Sequence, residues 1–227
     1  MTKFTFATRD EGFDNHINAS IRHYGDLWND VLSMSQYFVE DDTLVVDIGC
    51  STGKLIKAMM KQNTFAPRAT YVGVEVEEDF YAGFEEDMQS LGEGKWLEYV
   101  RCDVRDFHFC NCSLVTSIFT LQFMPQRDRQ DMINRIYDGL HTGGAFIFAE
   151  KTVASSARIH EIRTFTYYDF KRQSFTTDDI MDKERTLRHM MKPNTRDELV
   201  SMCNAAGFSS VDSFWQNHAF TGFIAIK

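Results

Sequence analysis

The run VVDIGCSTGKL, residues 45–55, passes from an unbroken apolar stretch into a glycine-bearing turn and then into a helical pattern. A strand buried on both faces reads as such a β-branched run, and a glycine turn feeding a helix offers backbone N–H groups to a ligand. The rest of the chain keeps the same rhythm. Strands are expected over 43–49, 69–76, 96–104, 113–119 and 144–151, with helices over 53–62, 77–92 and 128–140 between them. This alternation predicts an α/β, doubly wound, mostly parallel sheet that binds ligands beyond the carboxyl ends of its strands. Residues 208–217 and 219–227 add two strands joined near Asn217–His218, giving seven strands with a C-terminal antiparallel hairpin. One domain over 1–227 is expected, with a helical lead-in (1–40) and a helical cap or subunit-contact insertion (154–192).

Elimination narrows what the turn holds. A phosphate-cradling loop needs four residues between its glycines and a hydroxyl after the lysine, whereas Gly49 and Gly53 enclose three residues and Leu55 follows Lys54. A dinucleotide turn needs a second glycine where Ser51 stands. What remains is Asp47 followed by Gly-x-x-x-Gly, which resembles the first motif of class I S-adenosylmethionine-dependent enzymes. Their ligand carries no phosphate, so a wider turn suffices. Two further acids support this. Glu75 ends the second strand, where a carboxylate accepts bonds from ribose hydroxyls, and Asp103 ends the third, where it and the Val104 N–H suit the adenine edge.

Charge and cysteine content exclude other classes. A formal net charge of −9 disfavours direct binding to a nucleic-acid backbone, which depends on clustered lysines and arginines. Five cysteines without a secretory leader read as free thiols of a cytoplasmic protein, and no apolar stretch approaches the roughly 20 residues of a membrane span. Cys110 and Cys112 fall short of a zinc pattern and are expected to be buried free thiols, so no metal is assigned. His160, His189 and His218 show no nucleophile or ligand spacing. The segment TFTYYDFKRQSF (164–175) interleaves aromatics with bases. On an acidic chain it reads as a cap over the cofactor or a subunit contact, not as a stacking platform for nucleic acid.

Beyond the glycine turn the chain resembles the bacterial carboxy-S-adenosylmethionine synthases, from about Phe13 to Lys227. The marks are FD at 13–14, Tyr24, DIGCS at 47–51, FTLQF at 119–123, IYDGL at 136–140, GGA at 143–145, EK at 150–151, DFKR at 169–172 and AGF at 206–208. The resemblance implies a Rossmann-like class I methyltransferase fold and a homodimer. It also implies that prephenate gives up carbon dioxide, which ends on the methyl carbon of S-adenosylmethionine as carboxy-S-adenosylmethionine, the donor for wobble-uridine modification in tRNA. Carried over by position, Tyr24 contacts the methionine portion and Gly49, Cys50 and Ser51 form the backbone turn. Glu75 and Val76 contact the ribose, and Asp103 and Val104 the adenine.

Two positions depart from the family pattern. The family reads NFTLQF where this chain has Ile118 before the phenylalanine, so a ligand-bonding amide is replaced by an aliphatic group. The family also places after DFKR an arginine that clamps the new carboxylate. Counting forward puts Arg185 in that position, as the candidate catalytic residue, and counting back from AGF puts Glu184 there. A conventional S-adenosylmethionine methyltransferase and a cofactor-binding pseudoenzyme remain open as alternatives.

Overall fold

A computed structural model describes residues 12–227, apart from Ala82, Glu85 and 87–95. Two helices, α1 (Phe13–Ser20) and α2 (Tyr24–Ser35), lead into strand β1 (Leu44–Ile48). There follow α3 (Lys54–Gln62), β2 (Thr70–Glu75), β3 (Leu97–Arg101), β4 (Cys112–Ile118), α4 (Gln126–Gly139) and β5 (Leu140–Val153). Two further helices, α5 (Ala157–Lys171) and α6 (Thr177–Met190), precede the two-residue strand β6 (Asn194–Thr195). The chain closes with α7 (Arg196–Ala206), β7 (Ser210–Asn217) and β8 (Phe220–Ile226). The main sheet has the order β3-β2-β1-β4-β5-β8-β7, five parallel strands completed by an antiparallel hairpin. All seven expected strands are present, and the expected turn falls where β7 gives way to His218, whose φ is 45°. Order reverses between β1 and β4, the switch point at which such sheets open a crevice.

Side-chain alternation along each strand builds two cores. Val45, Leu114 and Ile147 face α2 and α3, where they meet Leu27, Ile56 and Met59. Val46, Val115 and Phe148 face the other way, onto Ile133, Ile136 and Leu199 of α4 and α7. Full burial of each large side chain contributes about 1.5–3 kcal/mol, so the central strands are fixed from both faces.

Local chemistry starts the late helices. Thr176 caps α6 and Thr195 caps α7, each answered three residues on by an acid, Asp179 and Glu198, that bonds back to the cap backbone. β6 was not expected from the sequence; its two residues pair with Thr152 and Val153 at the carboxyl end of β5. The described part of the expected helix 77–92 turns Phe80 and Phe84 inward, with Phe84 stacked on Tyr99 at 4.0 Å. Its remainder lies outside the described residues. The expected burial of both thiols in FCNC is corrected, since Cys112 is buried and Cys110 is exposed. The Cys110 side chain sits in the loop before β4, outside the sheet that covers its neighbour. Among the described residues no helix is long and apolar enough to cross a membrane.

Candidate active site

The carboxyl ends of β1, β2, β4 and β5 open into a cavity of about 570 Å3, covered by α1, α2 and the α5–α6 pair. Its floor is the glycine turn. Gly49 takes φ 67° and donates its N–H to the Val74 carbonyl at 2.8 Å. A side chain is excluded there by the protein itself, because a Cβ would stand 2.3 Å from Thr120 Oγ1. Thr120 in turn donates to the Ile48 carbonyl at 3.1 Å, so the FTLQF segment locks onto the end of β1. Ser51 (φ 47°) and Gly53 (φ 69°) complete the left-handed bends that turn the chain into α3.

Two buried carboxylates flank this turn. Glu75, 6% exposed, accepts from the N–H groups of Ser51 (2.8 Å), Val76 (2.8 Å) and Glu77 (2.9 Å). Burial raises its pKa, and those backbone donors oppose the rise. Asp47, 3% exposed, accepts from Thr116 Oγ1 at 2.7 Å. Burial pushes its carboxyl up to about 7, against the Thr116 bond and with the charge of Glu75 adding to the rise. Tyr24 lies over the same floor, its phenol shifted upward by burial and by the nearby charges of Asp47 and Asp14. Cys50 is buried in the turn, and burial, followed by the charges of Asp47 and Glu75, drives its thiol well up. It is an inert thiol, not a nucleophile.

Most of the expected contact residues line this cavity together: Tyr24, Asp47, Gly49, Cys50, Ser51, Glu75, Val76 and Ile118. Gly53 stands just behind it, where a Cβ would meet Tyr99 Oη at 2.2 Å. Asp103 and Val104 are not among the lining residues. The Asp103 carboxylate caps a short turn and is forked by Arg105, with Nη2 at 2.6 Å and Nε at 3.0 Å. The two registers for the late arginine separate cleanly. Glu184 lines the cavity, whereas Arg185, 74% exposed, lies outside it in an ion pair with Asp182 at 2.9 Å. One turn of α6 carries both residues, and adjacent helical positions point about 100° apart, so only one of them faces inward.

Several cavity residues escaped sequence reasoning. Asp14 joins the mouth through a 2.6 Å ion pair with Lys54, and Lys151 pairs with Glu184 at 3.5 Å. Gln122 accepts from the Lys151 N–H at 2.8 Å and ties the FTLQF turn to β5. Tyr167 is buried under the cap and lines the cavity, placing the 164–175 segment over the site. The sequence signals for these residues were the short marks FD, EK and FTLQF and the 164–175 segment, whose spacing in the chain says nothing of their meeting.

Beneath the turn Arg129 is buried, donating to the carbonyls of Gln122 (3.0 Å) and Met124 (2.8 Å) and to Asn194 Oδ1. Glu150, also buried, accepts from the Leu121 N–H at 3.0 Å; burial lifts its carboxyl to about 8 although Arg129 opposes the shift. Among the described residues the charged lining is five carboxylates (Asp14, Asp47, Glu75, Glu77, Glu184) against three lysines (Lys54, Lys151, Lys183). That balance, with no phosphate-type loop, suits a cationic ligand such as a sulfonium nucleoside.

Comparison with known proteins agrees with this geometry. Residues 45–144 match the family model of a methyltransferase domain. The carboxy-S-adenosyl-L-methionine synthase of Staphylococcus epidermidis is 34% identical over 95% of this chain and 92% of its own. The enzyme of the same name from Shewanella oneidensis is 31% identical, covering 100% of this chain and 94% of its own. Among solved structures, the cyclopropane synthase MmaA2 from Mycobacterium tuberculosis superimposes with a TM-score of 0.62 at 12% identity, covering 93% of this chain and 66% of that one. Human N-acetylserotonin methyltransferase, in complex with SAM, gives 0.55 at 15% identity, covering 98% and 61%. These two share the class I methyltransferase fold. The full-length identity to the synthases carries further: the chain belongs to the carboxy-S-adenosyl-L-methionine synthase family.

Proposed function

We propose that the chain is an S-adenosylmethionine-dependent transferase that makes carboxy-S-adenosylmethionine with prephenate as carboxyl donor. The observation that carries this reading is the open glycine turn at the sheet's switch point, flanked by the buried Asp47 and Glu75, in a chain whose full-length relatives are named for that product. S-adenosylmethionine supplies a methyl carbon that gives a proton to the hydroxide leaving prephenate and bonds to the carbon dioxide released, with phenylpyruvate and water as co-products.

The chain's own residues bind, orient and exclude water. Asp47 and Glu75 set two carboxyl groups where a cationic nucleoside enters, and the cation favours their charged forms. A carboxylate has about four acceptor sites, so Glu75, with three backbone donors already, keeps capacity for a ribose hydroxyl. Gly49, Cys50, Ser51 and Gly53 shape the turn against the ligand, Val76 flanks the ribose, and Tyr24 contacts the methionine portion. Asp103 and Val104 serve the adenine, with Asp103 shared with Arg105. Ile118, Phe119, Tyr167 and Phe220 supply the apolar wall, which keeps solvent from competing with carboxyl transfer.

The same reading makes the product a donor for tRNA wobble-uridine modification in the cytoplasm and the enzyme a homodimer. The exposed Ile159, Ile162 and Phe165 of α5 support the dimer. A second reading, a conventional methyltransferase, is favoured by Ile118, which stands where the family pattern has an amide, and by Glu184, the cavity-lining member of the two candidates for the family's arginine position. Incubation with S-adenosylmethionine and prephenate, followed by mass spectrometry, tests the proposal. Prephenate-dependent gain of one carboxyl group on the nucleoside is the expected result, and recovery of S-adenosylmethionine alone overturns it.

A further inference from the structure

The wall shared by β5, α5 and α6 carries a half-buried ion pair. Lys151 Nζ stands 3.5 Å from Glu184 Oε1, and the two side chains keep 17% and 20% exposure toward the cavity they both line. A charge-assisted hydrogen bond closes to about 2.7–2.9 Å, and among the described residues Lys151 Nζ makes no hydrogen bond. Contrast Arg129, whose guanidinium is saturated by carbonyls and Asn194. The Lys151 backbone is fixed, its N–H bonded to Gln122 Oε1 and its strand paired on both sides. Its ammonium group also lies 5.6 Å from the centre of the Tyr167 ring. A fixed stem with a loosely paired head can exchange one carboxylate for another without leaving the charge bare.

We propose that Lys151 is the residue that holds the carboxylate in this site, on the arriving donor and then on the product, and that Glu184 is its resting counter-ion. The inference rests on the synthase reading above and names the residue that does what the family pattern gives to an arginine. Swapping Glu184 for a ligand carboxylate replaces like with like, so it avoids most of the desolvation cost of burying a new ion pair. The Tyr167 ring face stabilises the ammonium through either state. S-adenosylmethionine itself has no carboxylate at its methyl end and leaves the pair intact. The exchange is therefore selective for the carboxylated nucleoside.

Calorimetry with S-adenosylhomocysteine, S-adenosylmethionine and synthetic carboxy-S-adenosylmethionine tests this on the full chain. Wild type is expected to favour the carboxylated ligand. Lys151→Met should weaken that ligand alone, roughly 10- to 100-fold as for a lost charged hydrogen bond, while unchanged S-adenosylhomocysteine binding shows an intact site. Lys151→Arg should retain most of the preference, and Glu184→Gln should tighten the carboxylated ligand by removing its competitor. A preference that survives Lys151→Met, or a Glu184→Gln variant that binds the ligand more weakly, overturns the proposal. If Arg185→Ala abolishes the preference and Lys151→Met does not, Arg185 holds the carboxylate; the synthase reading then stands and this inference fails. Equal wild-type affinity for both nucleosides overturns the synthase reading and the inference with it.

Discussion

Thr116 Oγ1 donates a 2.7 Å hydrogen bond to Oδ1 of Asp47, and this is the one side-chain bond that the buried carboxylate receives among the described residues. A single neutral donor does not offset burial, which is why the Asp47 carboxyl is pushed up to about 7. An acid whose folded pKa lies above its unfolded value holds its proton longer in the folded state. Its contribution to stability is whole below about pH 4 and is lost as pH rises to about 7. Asp47→Asn keeps the acceptor for Thr116 and removes the ionisation. Urea unfolding of the ligand-free protein should show the variant more stable than wild type by about 2–4 kcal/mol at pH 8, with the difference closing toward pH 4. The same variant should bind S-adenosylmethionine more weakly.

Glu75 serves the ligand and the fold at once. Glu75→Ala should weaken S-adenosylhomocysteine binding by about 1.5–3 kcal/mol. It also strips the acceptor from three N–H groups, so thermal stability should fall in the ligand-free state. Paired calorimetry and melting curves check this; a loss of affinity at unchanged melting temperature would mean that the backbone cradle does not depend on the carboxylate.

Gly49 and Thr120 should be energetically coupled. Gly49→Ala brings a Cβ to 2.3 Å from Thr120 Oγ1 at a φ of 67°, and should destabilise by about 1–3 kcal/mol. Thr120→Ala in the same chain removes the closest atoms and should recover part of that loss. A double-mutant cycle in denaturant reads the coupling, and strict additivity of the two changes would contradict the contact.

Arg129 sits at the centre of a buried polar network, and its removal leaves the Gln122 and Met124 carbonyls and Asn194 Oδ1 without their donor and Glu150 without its nearby cation. Arg129→Met should cost about 3–5 kcal/mol, and it should raise the Glu150 pKa further because the opposing cation is gone. Urea unfolding gives the first. Carboxyl titration by NMR gives the second, with a downward move of Glu150 as the contrary result.

Strand and turn chemistry made the sheet and its ligand turn legible from the sequence. Val45–Gly53 announced β1 and the bend, and Glu75 was readable because it ends a strand that must lie beside β1. Asp103 followed the same rule, yet its carboxylate is engaged by Arg105, two residues on. Strand-end position says where a side chain emerges, not which neighbour reaches it first.

Near-neighbour physics is what the sequence by itself determined: the period of two that buries Val45 and Val46 on opposite faces, the glycine bends, the caps at Thr176 and Thr195, and the two candidate registers of α6. The tertiary structure alone decided which register faces the cavity. That choice depends on how α6 packs over β5, and it set Glu184 against Lys151, 33 positions earlier in the chain, while leaving Arg185 to solvent. It also decided that Thr120 fills the space above Gly49. Contacts between distant segments are fixed by packing of the whole sheet and its helices, which no local pattern encodes.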